Sequence, residues 1–180
     1  MNVTKPTISQ RRNSNNNLNK TITLASVSGL KIIADTGQGG PVRQIVLGLT
    51  NVALSITDDG STGHASQKLF DFPGGSIIAI GGLIDLTLSA TAGGNIQCSL
   101  GTTATADATL SSTDADLCPA STASASVAEA QKAAVTYHDG TVTAKACYLN
   151  AGTASDPSSG ATLTLNGTIV VTFINQGDFQ

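Results

Sequence analysis

Residues 77–89 read Ile-Ile-Ala-Ile-Gly-Gly-Leu-Ile-Asp-Leu-Thr-Leu-Ser and form the most apolar segment of the chain. The segment is too short to cross a membrane, which takes about 20 apolar residues, and it contains Asp85. We therefore expect no membrane anchor and interpret it as a buried β-strand. Gly81 and Gly82 lie in its middle, where we expect a β-bulge or the close approach of another part of the backbone.

The segments on both sides have the same β character. Residues 21–27 alternate polar and apolar side chains, which is typical of a half-buried strand. Clusters of Gly, Pro and Asp separate the apolar runs, and there is little helical pattern. This order favours an antiparallel β-sandwich or barrel. The other predicted strands are residues 30–34, 42–49, 52–57, 67–72, 96–100, 135–137, 141–149 and 162–174.

Small side chains dominate the composition. Thr, Ala, Gly and Ser supply 84 of the 180 residues, charged residues are only 12%, and there is no Trp. A coiled coil would be rich in Glu, Lys and Leu, and a disordered chain would have fewer apolar residues than the 40% found here. Small side chains lose little entropy when they are ordered, so they suit broad contacts with neighbouring subunits. We predict one β-domain over residues 21–180.

The first twenty residues carry a charge opposite to the rest of the chain. They contain four basic side chains, no acidic ones and several Asn, whereas residues 21–180 have a net charge of −7. We predict an extended arm over residues 1–20 that is either disordered or ordered by lying on another surface. Nucleic-acid binding is not expected, because the basic residues are few and no aromatic residue lies among them. The basic residues are Lys5, Arg11, Arg12 and Lys20.

The two histidines do not form a recognisable catalytic arrangement. His138 precedes Asp139 and Gly140, a dipeptide typical of a two-residue hairpin turn. His64 lies in a predicted Gly/Ser loop without the Gly-x-Ser-x-Gly motif of a nucleophilic serine. A hydrolase would need one of these imidazoles near a Ser and a carboxylate. We therefore predict that the protein is not an enzyme.

Ligand and metal motifs are equally weak. Residues 37–41 are Gly-Gln-Gly-Gly-Pro, but a strand follows where a phosphate loop needs a helix. Residues 58–60, Asp-Asp-Gly, lack the later acidic ligand of an EF-hand loop. We predict turns at both places, and neither a cofactor nor a metal.

Three cysteines stand at long spacings without a Cys-x-x-Cys pair, so no zinc motif is present. We interpret Cys98, Cys118 and Cys147 as buried small apolar residues. A disulfide between Cys98 and Cys118 remains the alternative.

Residues 101–134 interrupt the strand pattern with a run of Ala, Ser, Thr and Asp. The spacing of Ser111 and Asp114 matches a capping box, and a second match follows at residues 126–129. We predict a helical turn at 112–117 and a short helix at 127–134. This small helical excursion from the sheets would be a surface loop available for contacts.

Several segments together resemble a family of proteins. Residues 67–75, Gln-Lys-Leu-Phe-Asp-Phe-Pro-Gly-Gly, followed by the apolar residues 77–82, are similar to a block in the head decoration, or cement, proteins of tailed bacteriophages. Gly74 departs from this block, since an acidic residue is common there. The resemblance covers roughly residues 67–178. The other similar segments are residues 100–104, 107–111, 114–117 and 163–175.

The resemblance implies an all-β, antiparallel β-sandwich or jelly-roll-like module. It also implies a structural virion protein that sits on the outside of the capsid and clamps major capsid subunits together, commonly as a homotrimer. We expect synthesis in the host cytoplasm, because the first twenty residues lack the continuous apolar segment of a secretory signal. The arm is longer and richer in Asn than in that family, and the resemblance does not cover it. Because its charge is opposite to that of the domain, we expect Lys5, Arg11, Arg12 and Lys20 to contact the capsid or a neighbouring copy. The alternative is a tail-fibre, spike or surface-adhesin subunit that binds a host receptor.

Overall fold

Two long neighbouring strands, β6 (Gly75–Ala90) and β11 (Thr162–Gly177), pair along almost their whole length. A computed structural model of the chain describes residues 22–36, 42–90, 96–123, 136–140, 145–157 and 161–177. The remaining strands are β1 (Thr23–Leu24), β2 (Leu30–Asp35), β3 (Val42–Ser55), β4 (Thr57–Asp58), β5 (Gly63–Asp71), β7 (Ile96–Gly101), β8 (Cys118–Ala123), β9 (Thr136–Gly140) and β10 (Ala146–Thr153), with a 3₁₀ helix at Ser112–Asp114.

The strands form two sheets that pack against each other. The first sheet has the order β1-β5-β10-β7-β8, with β4 beside β5, and the second has the order β2-β3-β11-β6-β9. All the described pairs are antiparallel. The prediction of an all-β antiparallel sandwich is confirmed, and the barrel alternative is wrong.

The core lies between the two sheets and follows from the alternation within each strand. In β3, Ile45, Leu47 and Leu49 point inward and are buried, as are the corresponding residues of β6 and β11. Phe72 makes edge-to-face contacts with Phe70 and Phe173, with ring centroids 4.9 and 5.1 Å apart. Because Phe173 belongs to the second sheet, these rings join the two layers.

The two glycines of β6 behave as the sequence predicts. Thr172 of β11 pairs with Gly81, whereas the next residue, Phe173, pairs with Ala79, so Ile80 is bulged. A Cβ atom on Gly82 would lie 2.8 Å from Leu100 Cδ1, too close for a real side chain. Both a bulge and a close approach therefore occur here.

Some predicted strand boundaries are wrong. Residues 42–49 and 52–57 were predicted as two strands, but β3 runs continuously from Val42 to Ser55. A bulge at Thr50 and Asn51 interrupts only the pairing, and the Asn51 N–H donates to the Asn166 side chain at 2.8 Å. Within residues 21–27, only Thr23–Leu24 is paired. The predicted turn at Asp139–Gly140 is also wrong, because both residues pair with β6.

The excursion at residues 101–134 contains a strand that the sequence analysis missed. β8 pairs with β7 at the edge of the first sheet, where Pro119 is tolerated because an edge strand needs fewer hydrogen bonds. The 3₁₀ helix at Ser112–Asp114 confirms a helical turn in the predicted place, but Ser111 makes no side-chain capping bond. The predicted helix at 127–134, the arm at 1–20 and the turn at 37–41 lie outside the described residues.

Candidate functional site on the outer face of the second sheet

The titratable groups of the described residues make local contacts. His64 lies in β5, not in the predicted loop, and its Nδ1 is 2.8 Å from the Asp59 carboxylate. The Asp58 carboxylate accepts the Gly60 N–H at 2.7 Å within the turn. No group of three or more His, Cys, Asp or Glu in the described ranges could hold a metal ion. The side chain of His138 lies outside what is described.

The three cysteines are buried thiols, and no disulfide joins them. Burial raises the pKa of Cys118 from 9.0 to about 12. Burial also raises the pKa of Cys147, and the negative charge of Asp116 and the neighbouring Cys118 add to this. The interpretation as buried small residues is confirmed, and the Cys98–Cys118 bridge is not formed. Thiols held in this protonated form are poor nucleophiles at neutral pH.

The outer face of the first sheet is covered by the chain itself. Residues 102–117, which we call the covering loop, are attached through Asn150, a fully buried side chain of β10. Its Nδ2 donates to the carbonyl oxygens of Thr103 and Asp114 at 3.0 and 2.8 Å. Its Oδ1 accepts from Ser66 Oγ at 2.6 Å and from the Thr105 N–H at 3.1 Å. One amide thus fixes three points of the loop to the sheet.

Small residues allow the covering loop to lie against the strands. A Cβ on Gly101 would be 2.3 Å from the Asp114 backbone, and one on Gly152 would be 2.3 Å from the Ala108 carbonyl oxygen. The Asp116 carboxylate closes the base of the loop by accepting from the N–H and hydroxyl of Thr102 at 2.9 and 2.8 Å. Part of the Ala/Ser/Thr-rich excursion therefore covers its own sheet.

The outer face of the second sheet is different, because apolar side chains there remain exposed. Ile33 is 54% exposed, Val42 52%, Leu83 41% and Ile80 36%. Val42, Ile80 and Leu83 each stand next to a buried residue of the same strand, so they lie on the side away from the core. Ile33 lies on the same side, because its side chain lies over Gly48 of β3. We call this surface the apolar face. Its members are Ile33, Val42, Val46, Ile78, Ile80, Leu83, Val170 and Ile174.

The strand register arranges these side chains in rows across the sheet. One row contains Val46, Val170 and Leu83, and another contains Val42, Ile174 and Ile78. Between them lies a row of Gln44, Thr172 and Gly81, in which Gln44 Nε2 donates to Thr172 Oγ1 at 3.3 Å. This bond joins the two polar side chains of the middle row, which has an apolar row on each side.

A shallow depression of about 250 Å³ lies within the apolar face beside Gly81, which has no side chain to fill it. Its walls are mostly apolar, and they carry no charged group. A small-molecule site normally has converging polar groups that fix the ligand. The depression is therefore better suited to receive an apolar side chain of another protein surface. Its lining residues are Gln44, Ile80, Gly81, Gly82, Leu83, Val170 and Thr172.

The sequence predicts contacts with a partner for four basic residues of the arm. Lys5, Arg11, Arg12 and Lys20 lie outside the described residues. The apolar face was not predicted from the sequence, although the pattern of residues 77–89 indicates it. Their apolar side chains occupy both alternating sets of positions, which is typical of a strand that is buried on both sides.

Neither a family model nor a curated protein matches this sequence. Within the described part of the chain, no helix is long and apolar enough to cross a membrane.

Proposed function

We propose that this protein is a structural subunit of a phage virion that binds the outer surface of the capsid and stabilises it. It self-associates, with three copies as the expected number, and contacts major capsid subunits, so it acts without a catalytic centre or cofactor. The observation that carries this proposal is the apolar face. A surface of this kind on a small domain is typical of one that is covered by another protein.

Burial of the apolar face supplies a favourable free energy of assembly. Complete burial of an Ile, Leu or Val side chain contributes about 1.5–3 kcal/mol. Ile33, Val42 and Leu83 are each about half exposed, so covering them contributes roughly 1 kcal/mol apiece. Gln44 donates one hydrogen bond to Thr172; the remaining polar groups of these two side chains need partners in the interface when water leaves.

The charge distribution supports a second contact, made by the arm. Residues 1–20 carry four basic side chains and precede a domain with a net charge of −7. Once the domain is docked, an arm that reaches a neighbouring acidic surface binds intramolecularly, which raises the total affinity without a larger domain. Lys5, Arg11, Arg12 and Lys20 would make these contacts with the capsid or a neighbouring copy. The resemblance of residues 67–178 to phage decoration proteins supports the same assignment.

Co-sedimentation with purified phage capsids that lack the protein tests the proposal. The full chain is expected to saturate the shell, and a variant without residues 1–20 is expected to bind at least about tenfold more weakly while keeping its circular dichroism spectrum. A matched variant with Lys5, Arg11, Arg12 and Lys20 replaced by Gln separates charge from length. Unchanged occupancy in both variants would remove the arm from the proposal.

Binding at another place would favour the alternative. If the protein does not bind shells but binds host glycans or labels the tail in micrographs, it is a tail-fibre, spike or adhesin subunit and the decoration assignment is wrong.

A further inference from the structure

One charged pair on the second sheet has the geometry of a contact between copies. Lys31 of β2 pairs with Gly48 of β3, Gly48 with Thr168 of β11, and Thr168 with Asp85 of β6. The four residues form a single row across the sheet, directly beside the apolar rows. Lys31 and Asp85 stand at its two ends, three strand spacings apart, or about 14 Å.

Both charged side chains lie on the same face as the exposed apolar residues. A Cβ on Gly48 would be 3.4 Å from Lys31 Cε and 2.7 Å from Ile33 Cδ1, so the lysine and the isoleucine lie together over this glycine. Asp85 is exposed between the buried residues Ile84 and Leu86. Within the described part of the chain, the ion pairs are Arg43–Asp35, His64–Asp59 and Lys68–Asp71, and neither Lys31 nor Asp85 belongs to one.

We infer that the apolar face is covered by the same face of further copies of this chain, with Lys31 of one copy beside Asp85 of the next. The inference rests on the self-association in the proposed function and is independent of capsid binding. The surface is self-complementary: it carries one charge of each sign at opposite edges and at the same position along the strands. A copy of the chain therefore offers each charge a partner of opposite sign.

A rotation axis parallel to the strands brings these groups together. Rotation about such an axis leaves the position along the strands unchanged, so each row meets the same row of the next copy. Among the described residues, β9 pairs with β6 only at residues 75–79, so β6 is the outermost described strand at Asp85. The β2 edge of one copy then adjoins this part of β6 in its neighbour, which places Lys31 beside Asp85. Closed assemblies of this type are the common form of soluble oligomers.

The width of the face fits three copies. If three faces, each about 14–19 Å wide, form the sides of a triangle, the axis at its centre lies about 4–6 Å from each sheet. Two packed sheets are ~10 Å apart, so each sheet then lies about as far from the axis as from the middle of an ordinary sheet-to-sheet interface. Apolar side chains on the three faces therefore fill the space around the axis. The residues nearest the centre are Val46 of β3 and Thr168 and Val170 of β11, together with the side chain of Ile33 where it lies over Gly48.

Charge reversal tests the pairing in the free protein. Lys31→Glu places two carboxylates side by side, and Asp85→Lys places two ammonium groups side by side. We expect each to raise the dissociation constant for self-association about tenfold, because an attraction becomes a repulsion. The double variant is expected to return within about threefold of the original value. Light scattering after size exclusion and sedimentation equilibrium give the mass and the constant.

Matched controls keep the test interpretable. Lys145→Glu changes the same charge on an exposed residue next to the first sheet and is expected to leave the dissociation constant unchanged. Val170→Arg places a charge in the middle of the apolar face and is expected to give folded monomers. Circular dichroism and thermal unfolding verify the fold of every variant.

The outcomes separate this inference from the proposed function. A monomeric wild-type protein at tens of micromolar would contradict the self-association in both. A wild-type oligomer that neither charge reversal nor Val170→Arg weakens would overturn the inference alone. Single variants that weaken the oligomer without rescue in the double variant would overturn the Lys31–Asp85 pairing.

Discussion

Replacing Asn150 by Leu removes the attachment of the covering loop to the first sheet with almost no change in volume. The amide makes two hydrogen bonds to carbonyl oxygens, at 3.0 and 2.8 Å, and accepts two more, at 2.6 and 3.1 Å. Leu fills the same space but can make none of them. The substitution therefore separates the contribution of the hydrogen bonds from that of packing.

The expected loss of stability is large for one side chain. A buried hydrogen bond contributes about 1 kcal/mol net, and a buried group left without a partner costs about 1–3 kcal/mol. Detachment of the covering loop lets water reach some of the abandoned groups. We therefore expect Asn150→Leu to lower the free energy of unfolding by about 3–4 kcal/mol. At about 2–4 °C per kcal/mol for a chain of this length, this lowers Tm by about 10 °C.

Urea unfolding followed by circular dichroism measures the change, at one protein concentration so that self-association does not differ between samples. Gln67→Leu, on the neighbouring strand, is the control and is expected to lose less than about 1 kcal/mol. Limited proteolysis reports the loop directly, and we expect new cleavage within residues 102–117. If the free energy of unfolding falls by less than about 1 kcal/mol and the loop is not cleaved, the Asn150 hydrogen bonds do not attach the covering loop to the sheet.

Two further predictions concern the glycine contacts and the buried thiols. Gly101→Ala places a Cβ 2.3 Å from the Asp114 backbone, so we expect the free energy of unfolding in urea to fall by about 2–3 kcal/mol. The control Gly60→Asn lies in an open turn and is expected to lose less than about 1 kcal/mol. Equal losses in the two variants would show that the close contact at Gly101 does not limit stability. The pKa of Cys118 is raised from 9.0 to about 12 by burial, so the folded state holds this proton more tightly than the unfolded state. The free energy of unfolding should then fall as pH rises from 9 to about 12. We expect the fall per pH unit to be smaller in Cys118→Ala, which lacks this thiol. An equal fall in that variant would exclude the Cys118 thiol as the cause.

The β character of the chain could be predicted because it depends on local patterns. Alternation in residues 162–174 and the β-branched run in residues 42–49 identify strands wherever these strands lie in the fold. Gly81 and Gly82 could be interpreted for the same reason, because a glycine inside an apolar strand usually marks a bulge or a close approach of another part of the backbone. These features do not depend on which strands become neighbours.

The errors arose where tertiary pairing decides the structure. β8 has no apolar alternation, and it is a strand because β7 offers hydrogen bonds beside it. Asp139–Gly140 is a dipeptide typical of turns, but here it pairs with the start of β6. Asn150 carries no local signal at all, because its role depends on a loop that is distant in sequence. The apolar face became visible only through the register that aligns Val46, Val170 and Leu83.

The proposal combines two contacts: copies of this domain associate through the apolar face, and the resulting assembly binds the outside of a capsid. Cryo-electron microscopy of purified capsids incubated with the full chain tests it most directly. We expect added density on the outside of the shell, in the form of three β-sandwiches around a local axis. Their second sheets should face this axis, with Lys31 beside Asp85 of the next copy. A shell without added density would contradict capsid binding. Added density in which the apolar face of the fitted domain points into solvent would contradict association through that face.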